Sequence, residues 1–140
     1  MKNTNIIFTT LFFLVLGISS LKAQDYNSEK HNYLVLSKNI QQLAAILQTS
    51  IALSEEDGEK YGDFYIIICG KTVNDIPYNL EFDKLLDKAK AQHIKVFVCG
   101  LSLAKFNIKE SQLPHDIEIT ANGIFLGFQL SKKGFISLTL

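Results

Sequence analysis

The sequence predicts an α/β protein with a mainly parallel, five-stranded sheet and helices on both faces. Short apolar runs typical of strands alternate along the chain with longer segments whose apolar residues recur at helical spacing. One run, from Phe64 to Ile68, is apolar throughout, which indicates a strand buried on both faces, as in a parallel sheet. Parallel strands need a crossover between them, and the helical segments supply it.

The first half of the chain is predicted to contribute two strands and two helices. Ile40, Leu43 and Leu47 fall at helical spacing after Asn39, a residue type that favours helix starts. The predicted elements are a strand over 31–37, a helix over 39–53, an acidic loop over 54–62, a strand over 63–69, a loop over 70–77 and a helix over 78–93.

The second half of the chain continues the alternation. The segment over 122–133 has an apolar pattern that permits either helix or strand. We predict a helix, because the crossover to the last strand requires one and because Lys132-Lys133-Gly134 is typical of a helix end. The remaining elements are a strand over 94–99, a short helix over 101–106, a loop over 107–114, a short strand over 116–119 and a final strand over 135–140.

The N-terminal segment has the pattern of an export signal. Lys2 precedes an apolar stretch from Ile6 to Leu21, and Ala23 supplies a small residue for cleavage. The stretch is short for a membrane span, although an uncleaved N-terminal anchor is the alternative. We therefore predict a periplasmic or secreted protein with no stable membrane insertion after cleavage, comprising a signal peptide over 1–23, a flexible leader over 24–30 and one domain over 31–140.

The composition argues against several classes of function. The 14 basic residues are all lysine, and the chain is close to neutral with no basic stripe, which disfavours nucleic-acid binding. The lack of arginine removes the usual bidentate clamp for phosphate or carboxylate. His31, His93 and His115 have no metal-ligand spacing, and no phosphate-binding or dinucleotide-binding motif is present, so we predict neither a metal nor a cofactor.

Cys99 is the strongest candidate for chemistry. It ends the predicted third strand, and Gly100 starts a turn into a helix. The carboxyl edge of a parallel sheet is where α/β proteins bind ligands. The N–H groups and dipole of the following helix favour the thiolate, which is the nucleophilic form of cysteine. The alternative is a small apolar core residue, because free cysteine is often buried.

Cys69 ends the second predicted strand and should lie at the same edge of the sheet. If the second and third strands are neighbours, Cys69 is a resolving partner for Cys99, provided that the two Cα atoms approach within about 7 Å. Otherwise it is a core or pocket residue. The further candidates for lining this edge are Gly70, Lys71, Gly100, Ser102 and Ser37.

The last third of the chain contains a series of motifs that follow the predicted cysteine strand. They are Cys99-Gly100-Leu101-Ser102-Leu103, Leu113-Pro114, Ile117-Glu118-Ile119, Asn122-Gly123-Ile124, Leu130 and Gly134-Phe135-Ile136. Together with looser matches in the first strand and over Phe64 to Gly70, they make the chain from Asn32 to Leu140 resemble the DsrE/DsrF-like family of sulfur-relay proteins, which includes the YchN-like proteins.

The resemblance implies a DsrE-like, three-layer α/β/α sandwich that forms homo- or hetero-oligomers. It also implies that Cys99, at the position of the family's conserved cysteine, carries sulfur as a persulfide and exchanges it with a donor or acceptor protein. Cys69 departs from the family, in which many members have histidine at or near this position. Export departs from the cytoplasmic relay branch.

Two functions follow from these observations. We expect an exported sulfur-handling protein that carries sulfane sulfur on Cys99 or acts in thiol redox, as a carrier more than as an enzyme with turnover. The alternative is a non-catalytic oligomeric module that binds a small ligand or a protein at the same edge. Phe106, Phe125 and Phe128 either cover a subunit interface or belong to the core.

Overall fold

Five parallel strands form one sheet at the centre of the computed structural model, which describes residues 29–140. The strands lie in the spatial order β4-β3-β2-β1-β5. They are β1 (His31–Ser37), β2 (Tyr61–Ile68), β3 (Lys95–Cys99), β4 (Glu118–Thr120) and β5 (Ile136–Thr139). The predicted signal peptide over 1–23 and most of the predicted leader lie outside the described residues.

Helices connect the strands. The α-helices are α1 (Leu43–Asp57), α2 (Leu80–Ala91), α3 (Gly100–Lys105) and α4 (Gly123–Lys132). Short 3-10 helices cover Ile40–Gln42, Gly58–Lys60, Gly70–Asp75 and Glu110–Gln112. From residue 29 to residue 140, no helix has the length and apolar character needed to cross a membrane.

Asparagine side chains start three of the helical segments. Asn39 accepts a hydrogen bond from the backbone N–H of Gln41, and Asn79 accepts one from Phe82 at the start of α2. Asn122 accepts two such bonds from the first turn of α4. These bonds pair N–H groups that the start of a helix otherwise leaves without partners, so the chain turns into a helix at each asparagine.

The two faces of the sheet carry separate apolar cores, because successive side chains of a strand point to opposite faces. The larger core lies between the sheet and helices α1 and α2, and includes Ile66, Ile68, Val96, Val98, Leu43, Leu47, Phe82 and Leu86. The smaller core lies under α4 and comprises Leu34, Ile67, Cys69, Cys99, Leu130 and Phe135. The sheet is therefore the middle layer of an α/β/α sandwich, and the predicted fold class is confirmed.

The prediction of an acidic loop over 54–62 was wrong for residues 54–57, which are helical. Helix α1 continues to Asp57, because nothing in its last turn breaks a helix before Gly58, whose φ of 55° lies in the left-handed region. After one 3-10 turn, β2 begins at Tyr61, earlier than predicted. The reason is its pairing with His31 at the start of β1, a contact that local pattern does not reveal.

Smaller differences affect the other boundaries. The loop predicted over 70–77 contains the 3-10 helix Gly70–Asp75, and α2 begins at Leu80 because Asn79 is its cap. Helix α3 begins at Gly100, and β4 covers Glu118–Thr120 instead of 116–119. The ambiguous segment over 122–133 is the helix α4, as predicted.

Candidate functional site

Cys69 and Cys99 lie side by side at the carboxyl edge of the sheet. Strands β2 and β3 are neighbours, and Ile68 is paired with Val98, so the next residue of each strand is a cysteine. Both side chains point into the core under α4, where Cys69 is 6% and Cys99 is 3% exposed. Neither forms a disulfide. The first condition for a resolving pair, that the two strands are adjacent, is therefore met.

Cys99 lies where backbone and side-chain donors converge on its sulfur. The N–H of Gly123, the first residue of α4, donates to Sγ at 3.3 Å. Burial alone raises the pKa of the Cys99 thiol, but Gly123, Ser102 and the Cys69 thiol all favour the thiolate and outweigh it. The pKa of Cys99 is therefore below its usual value, and the thiolate is more populated at neutral pH than burial alone would allow.

Cys69 is shifted in the opposite direction. Burial, the negative charge of Cys99 and a hydrogen bond to Cys99 together raise the pKa of the Cys69 thiol to about 12. Lys38 opposes the shift through its positive charge. The two shifts have opposite signs, so the structure favours Cys99 as the thiolate and Cys69 as the thiol.

Ser102 connects the two strand ends. Its hydroxyl accepts the backbone N–H of Gly70 at 2.8 Å and also lowers the pKa of Cys99. Gly70 follows Cys69 directly and has a φ of 79°, a conformation that glycine adopts without strain. Ser102 therefore joins the turn after β2 to the start of α3 and favours the thiolate of Cys99.

No family model matches this chain, and no curated protein matches it. Solved structures do match it. A protein of unknown function from Methanobacterium thermoautotrophicum is 11% identical, with a TM-score of 0.64, over 79% of this chain and 99% of its own. A conserved protein of unknown function from Bacteroides thetaiotaomicron is 19% identical, with a TM-score of 0.59, over 78% of this chain and 94% of its own.

The YchN protein of E. coli is also similar. It is 20% identical, with a TM-score of 0.55, over 79% of this chain and 99% of its own. The chain has a YchN-like fold. The DsrE-like architecture expected from the motifs around Cys99 is thereby confirmed at the level of the fold.

Gly123 is a residue of the candidate site in this YchN-like fold that the analysis of individual side chains missed. A Cβ atom at this position would lie 2.7 Å from Sγ of Cys69, 2.8 Å from Cγ2 of Ile67 and 3.1 Å from Cβ of Cys99. Only glycine therefore lets the start of α4 touch both cysteines. The Asn122-Gly123 pair was a local signal for a helix start, but its contact with two distant strands was not visible in the sequence.

The remaining predicted site residues are only partly brought together. A Cβ atom added at Gly100 would lie 3.1 Å from the carbonyl oxygen of Thr120. Glycine therefore permits the segment before α4 to approach the start of α3 closely. Lys71 is exposed, and Lys38 is the lysine whose charge acts on Cys69. Ser37 is buried, but its hydroxyl donates to the carbonyl of Asn39 and accepts that residue's N–H.

Ser37 lies on the opposite face of the sheet from the cysteines, because it is paired with Ile68, which belongs to the core under α1 and α2. It shapes the turn after β1 and does not line the cysteine pair. In the described part of the chain there is no cluster of three or more side chains suited to hold a metal ion. His31 lies at the far end of β1, where Nδ1 is 2.7 Å from Oδ1 of Asp57.

An exposed apolar surface flanks the site. We call it the α4–β5 surface, and it comprises Ile124, Phe125 and Phe128 of α4, beside the edge strand β5. Ile136 and Leu138 of β5 are also exposed, but they are paired with Tyr33 and Val35 and so point to the opposite face of the sheet. A groove of about 240 Å³ runs between α4 and β5 and is lined in part by Leu34, Gly127, Phe128 and Leu138. Phe125 and Phe128 are therefore surface residues, whereas Phe106 is partly buried against the larger core.

Proposed function

We propose that this protein handles sulfane sulfur, and that Sγ of Cys99 takes it up to form a persulfide. The observation that carries the proposal is the environment of the Cys99 sulfur, which is buried and yet favoured as a thiolate by the N–H of Gly123 and by Ser102. The thiolate is the form of cysteine that attacks sulfur. A position at the carboxyl edge of a parallel sheet is the usual place for chemistry in an α/β fold.

The uptake step is a thiolate displacement. The Cys99 thiolate attacks the sulfane sulfur of a polysulfide or a persulfide donor, a new sulfur–sulfur bond forms on Cys99, and the donor's sulfur–sulfur bond breaks. The donor leaves as a thiolate or a polysulfide shorter by one sulfur, so no external oxidant is needed. An acceptor thiolate then attacks the outer sulfur and leaves Cys99 as the thiolate again.

The likeness of the fold to YchN supports the proposal without specifying the chemistry. The motifs around Cys99 resemble those of sulfur-relay proteins, and the predicted signal peptide over 1–23 supports a location in the periplasm or outside the cell. In that compartment its partners are a sulfur donor or an acceptor protein. Thiol redox of the cysteine pair is the related activity that an oxidising compartment favours.

Intact mass after exposure to an inorganic polysulfide tests the uptake step. The Cys69→Ser variant should gain one sulfur atom that a reductant removes, and the Cys99→Ser variant should gain none. The pair is matched, because each variant removes one of two adjacent buried thiols. If Cys99→Ser gains sulfur as readily as Cys69→Ser, Cys99 is not the carrier.

A second candidate is a non-catalytic oligomeric binding module, and the exposed α4–β5 surface is the observation that favours it. Apolar surfaces of this kind mark interfaces between proteins. The rate of Cys99 alkylation as a function of pH separates the two candidates. If the pH at which Cys99 alkylation reaches half its maximal rate lies below that of an ordinary cysteine, sulfur handling is supported. A slow reaction with an ordinary or raised midpoint pH supports the binding module.

A further inference from the structure

The second cysteine gives the site a reaction that a single carrier cysteine lacks. Cys69 follows Ile68, and Cys99 follows Val98, in two paired strands, so the two residues are next in register. Both side chains lie on the face under α4. The close approach of Gly123 to Sγ of Cys69 and to Cβ of Cys99 shows that the two side chains occupy one small space.

The spacing of the strands suits a bond between the two sulfur atoms. Neighbouring strands lie about 4.8 Å apart, and the Cα atoms of disulfide-bonded cysteines are about 4.4–6.8 Å apart. A Cβ atom at Gly123 would lie 2.7 Å from Sγ of Cys69 and 3.1 Å from Cβ of Cys99, so the two cysteine side chains meet at the same point under α4. No backbone shift of the sheet is therefore required for the two side chains to join.

Burial makes Cys69 the nearest thiol to any persulfide formed on Cys99. The first turn of α4 covers the pair, and both cysteines have less than a tenth of their surface exposed. An external thiol must displace this turn before it reaches Cys99, whereas Cys69 is in contact with it from the start. An internal reaction is favoured because it needs no encounter with a second molecule.

We propose that Cys69 resolves the Cys99 persulfide, so that the protein releases sulfide and is left with a Cys69–Cys99 disulfide. This inference rests on the proposed uptake of sulfur by Cys99. Sγ of Cys69 attacks Sγ of Cys99, the bond between Cys99 and the outer sulfur breaks, and the outer sulfur leaves as sulfide. Two thiol equivalents are oxidised to one disulfide, and the sulfane sulfur is reduced to sulfide.

The proton balance is met within the site. The charge of the Cys99 thiolate, one of the causes that raise the pKa of the Cys69 thiol, is lost when Cys99 takes up sulfur. The outer sulfur of the persulfide then takes the proton of Cys69, so that Cys69 attacks as a thiolate and the outer sulfur leaves as hydrosulfide. A dithiol reductant then reopens the disulfide by thiol–disulfide exchange, which regenerates both thiols for the next sulfur.

Sulfide release from loaded protein tests the inference. The reduced chain is exposed to inorganic polysulfide without air, freed of small molecules, and followed by intact mass and by trapping of sulfide. The natural protein should release about one sulfide per loaded chain and end two hydrogens below its reduced mass. Cys69→Ser should keep its added sulfur and release at least tenfold less sulfide.

The outcomes separate this inference from the function on which it rests. If Cys69→Ser gains sulfur on Cys99 and the natural protein keeps its added sulfur equally long, the resolving role is wrong and the carrier role stands. If neither protein gains sulfur on Cys99, the proposed function itself is wrong. Cys69→Ala repeats the comparison with an apolar replacement, and matching far-ultraviolet spectra confirm that both variants are folded.

A disulfide between two chains is a further outcome that contradicts the inference. Unreduced protein should run as a single chain under denaturing conditions. A covalent dimer together with released sulfide means that Cys69 or Cys99 of a second molecule performs the resolving step.

Discussion

Two proton-sharing clusters lie at opposite ends of the sheet and differ in what they can do. At the amino end of β1, the Tyr33 hydroxyl donates to Oδ2 of Asp57 at 2.6 Å, and Nδ1 of His31 lies 2.7 Å from Oδ1. At the carboxyl end, Cys69 and Cys99 lie side by side in the core under α4. The pKa values of Asp57 and Cys99 are lowered, and those of Tyr33 and Cys69 are raised to about 12.

The difference between the clusters lies in the acceptor atom and its surroundings. Asp57 is a carboxylate held by side-chain donors beside half-exposed His31, an arrangement that ties the end of α1 to the start of β1. Cys99 is a sulfur nucleophile that a backbone N–H reaches inside the core. A perturbed pKa therefore marks both clusters, but only the buried sulfur at the carboxyl edge offers a nucleophile.

The largest effect on the carboxyl cluster is expected from Gly123→Ala. The added Cβ atom would overlap the sulfur of Cys69, so α4 must shift, the N–H contact with Cys99 lengthens and the pKa of Cys99 rises. The free energy of unfolding should fall by about 2–3 kcal/mol. Urea denaturation and the pH dependence of Cys99 alkylation in a Cys69→Ser background measure the two effects.

Gly127→Ala is the matched control for this substitution. Gly127 is also in α4, but a Cβ atom there would meet only Leu34 and Leu36, at 3.9 and 4.0 Å. The control should leave Cys99 unchanged and raise stability by about 0.5–1 kcal/mol, as alanine does within helices. If Gly127→Ala and Gly123→Ala lose the same amount of stability, the specific role of Gly123 is contradicted.

Ser102→Ala should have the next largest effect. It removes a hydroxyl that favours the Cys99 thiolate and leaves the N–H of Gly70 without its acceptor. Stability should fall by about 1–2 kcal/mol, and Cys99 alkylation should shift to higher pH. Chemical denaturation and alkylation rates report both changes.

Ser37→Ala distinguishes the loss of a buried hydroxyl from an effect on sulfur. Ser37 is buried at the end of the neighbouring strand, but its hydroxyl binds the backbone of Asn39 on the other face. Ser37→Ala should lower the free energy of unfolding by about as much as Ser102→Ala, without changing the pH dependence of Cys99 alkylation. A shift of the alkylation profile in Ser37→Ala contradicts this assignment of the two faces.

Tyr33→Phe tests the amino-end cluster and should have a smaller effect, of about 1 kcal/mol, because only one hydrogen bond is lost. Burial and the Asp57 carboxylate raise the pKa of Tyr33 from 10.0 to about 12. The unfolded chain therefore loses this proton at lower pH than the folded chain. The contribution of the Tyr33 hydroxyl to the free energy of unfolding is present below pH 10 and is lost as the pH rises towards 12.

The alkaline part of the stability profile checks this prediction. Denaturation between pH 8 and 11 should show a shallower decline for Tyr33→Phe than for the natural protein, and Cys99 alkylation at the other end of the sheet should be unchanged. Tyr78→Phe, at a tyrosine that is 84% exposed, should leave the profile unaltered. An unchanged slope in Tyr33→Phe means that Tyr33 does not hold its proton through Asp57.

The smallest effect on stability is expected at the α4–β5 surface. Phe128→Ser replaces a side chain that is 67% exposed, so the free energy of unfolding should change by no more than about 0.5 kcal/mol. If this surface joins copies of the chain, Phe128→Ser should lower the molar mass measured by light scattering. Leu80→Ser, at a similarly exposed position on α2, should leave the mass unchanged.

Local patterns were sufficient for the order of the strands and for the position of Cys99, whereas the helix α4 was predicted mainly from the need for a crossover. The run ending at Cys69 and the shorter one ending at Cys99 are strands because their residues are apolar or β-branched, and Asn39 and Asn122 act as helix caps because their side chains bind nearby N–H groups. The start of β2 was misplaced because it depends on His31, a residue far away in the chain.

The sequence by itself determined an α/β sheet with two cysteines at its carboxyl edge, because strand periodicity and helix caps act over a few neighbouring residues. Only the tertiary structure decided that the cysteines differ. Gly123 and Ser102 favour the Cys99 thiolate, whereas the burial of Cys69 and the charge of Cys99 keep the Cys69 thiol protonated. These contacts join residues that are distant along the chain, and they exist only once the strands and α4 have packed together.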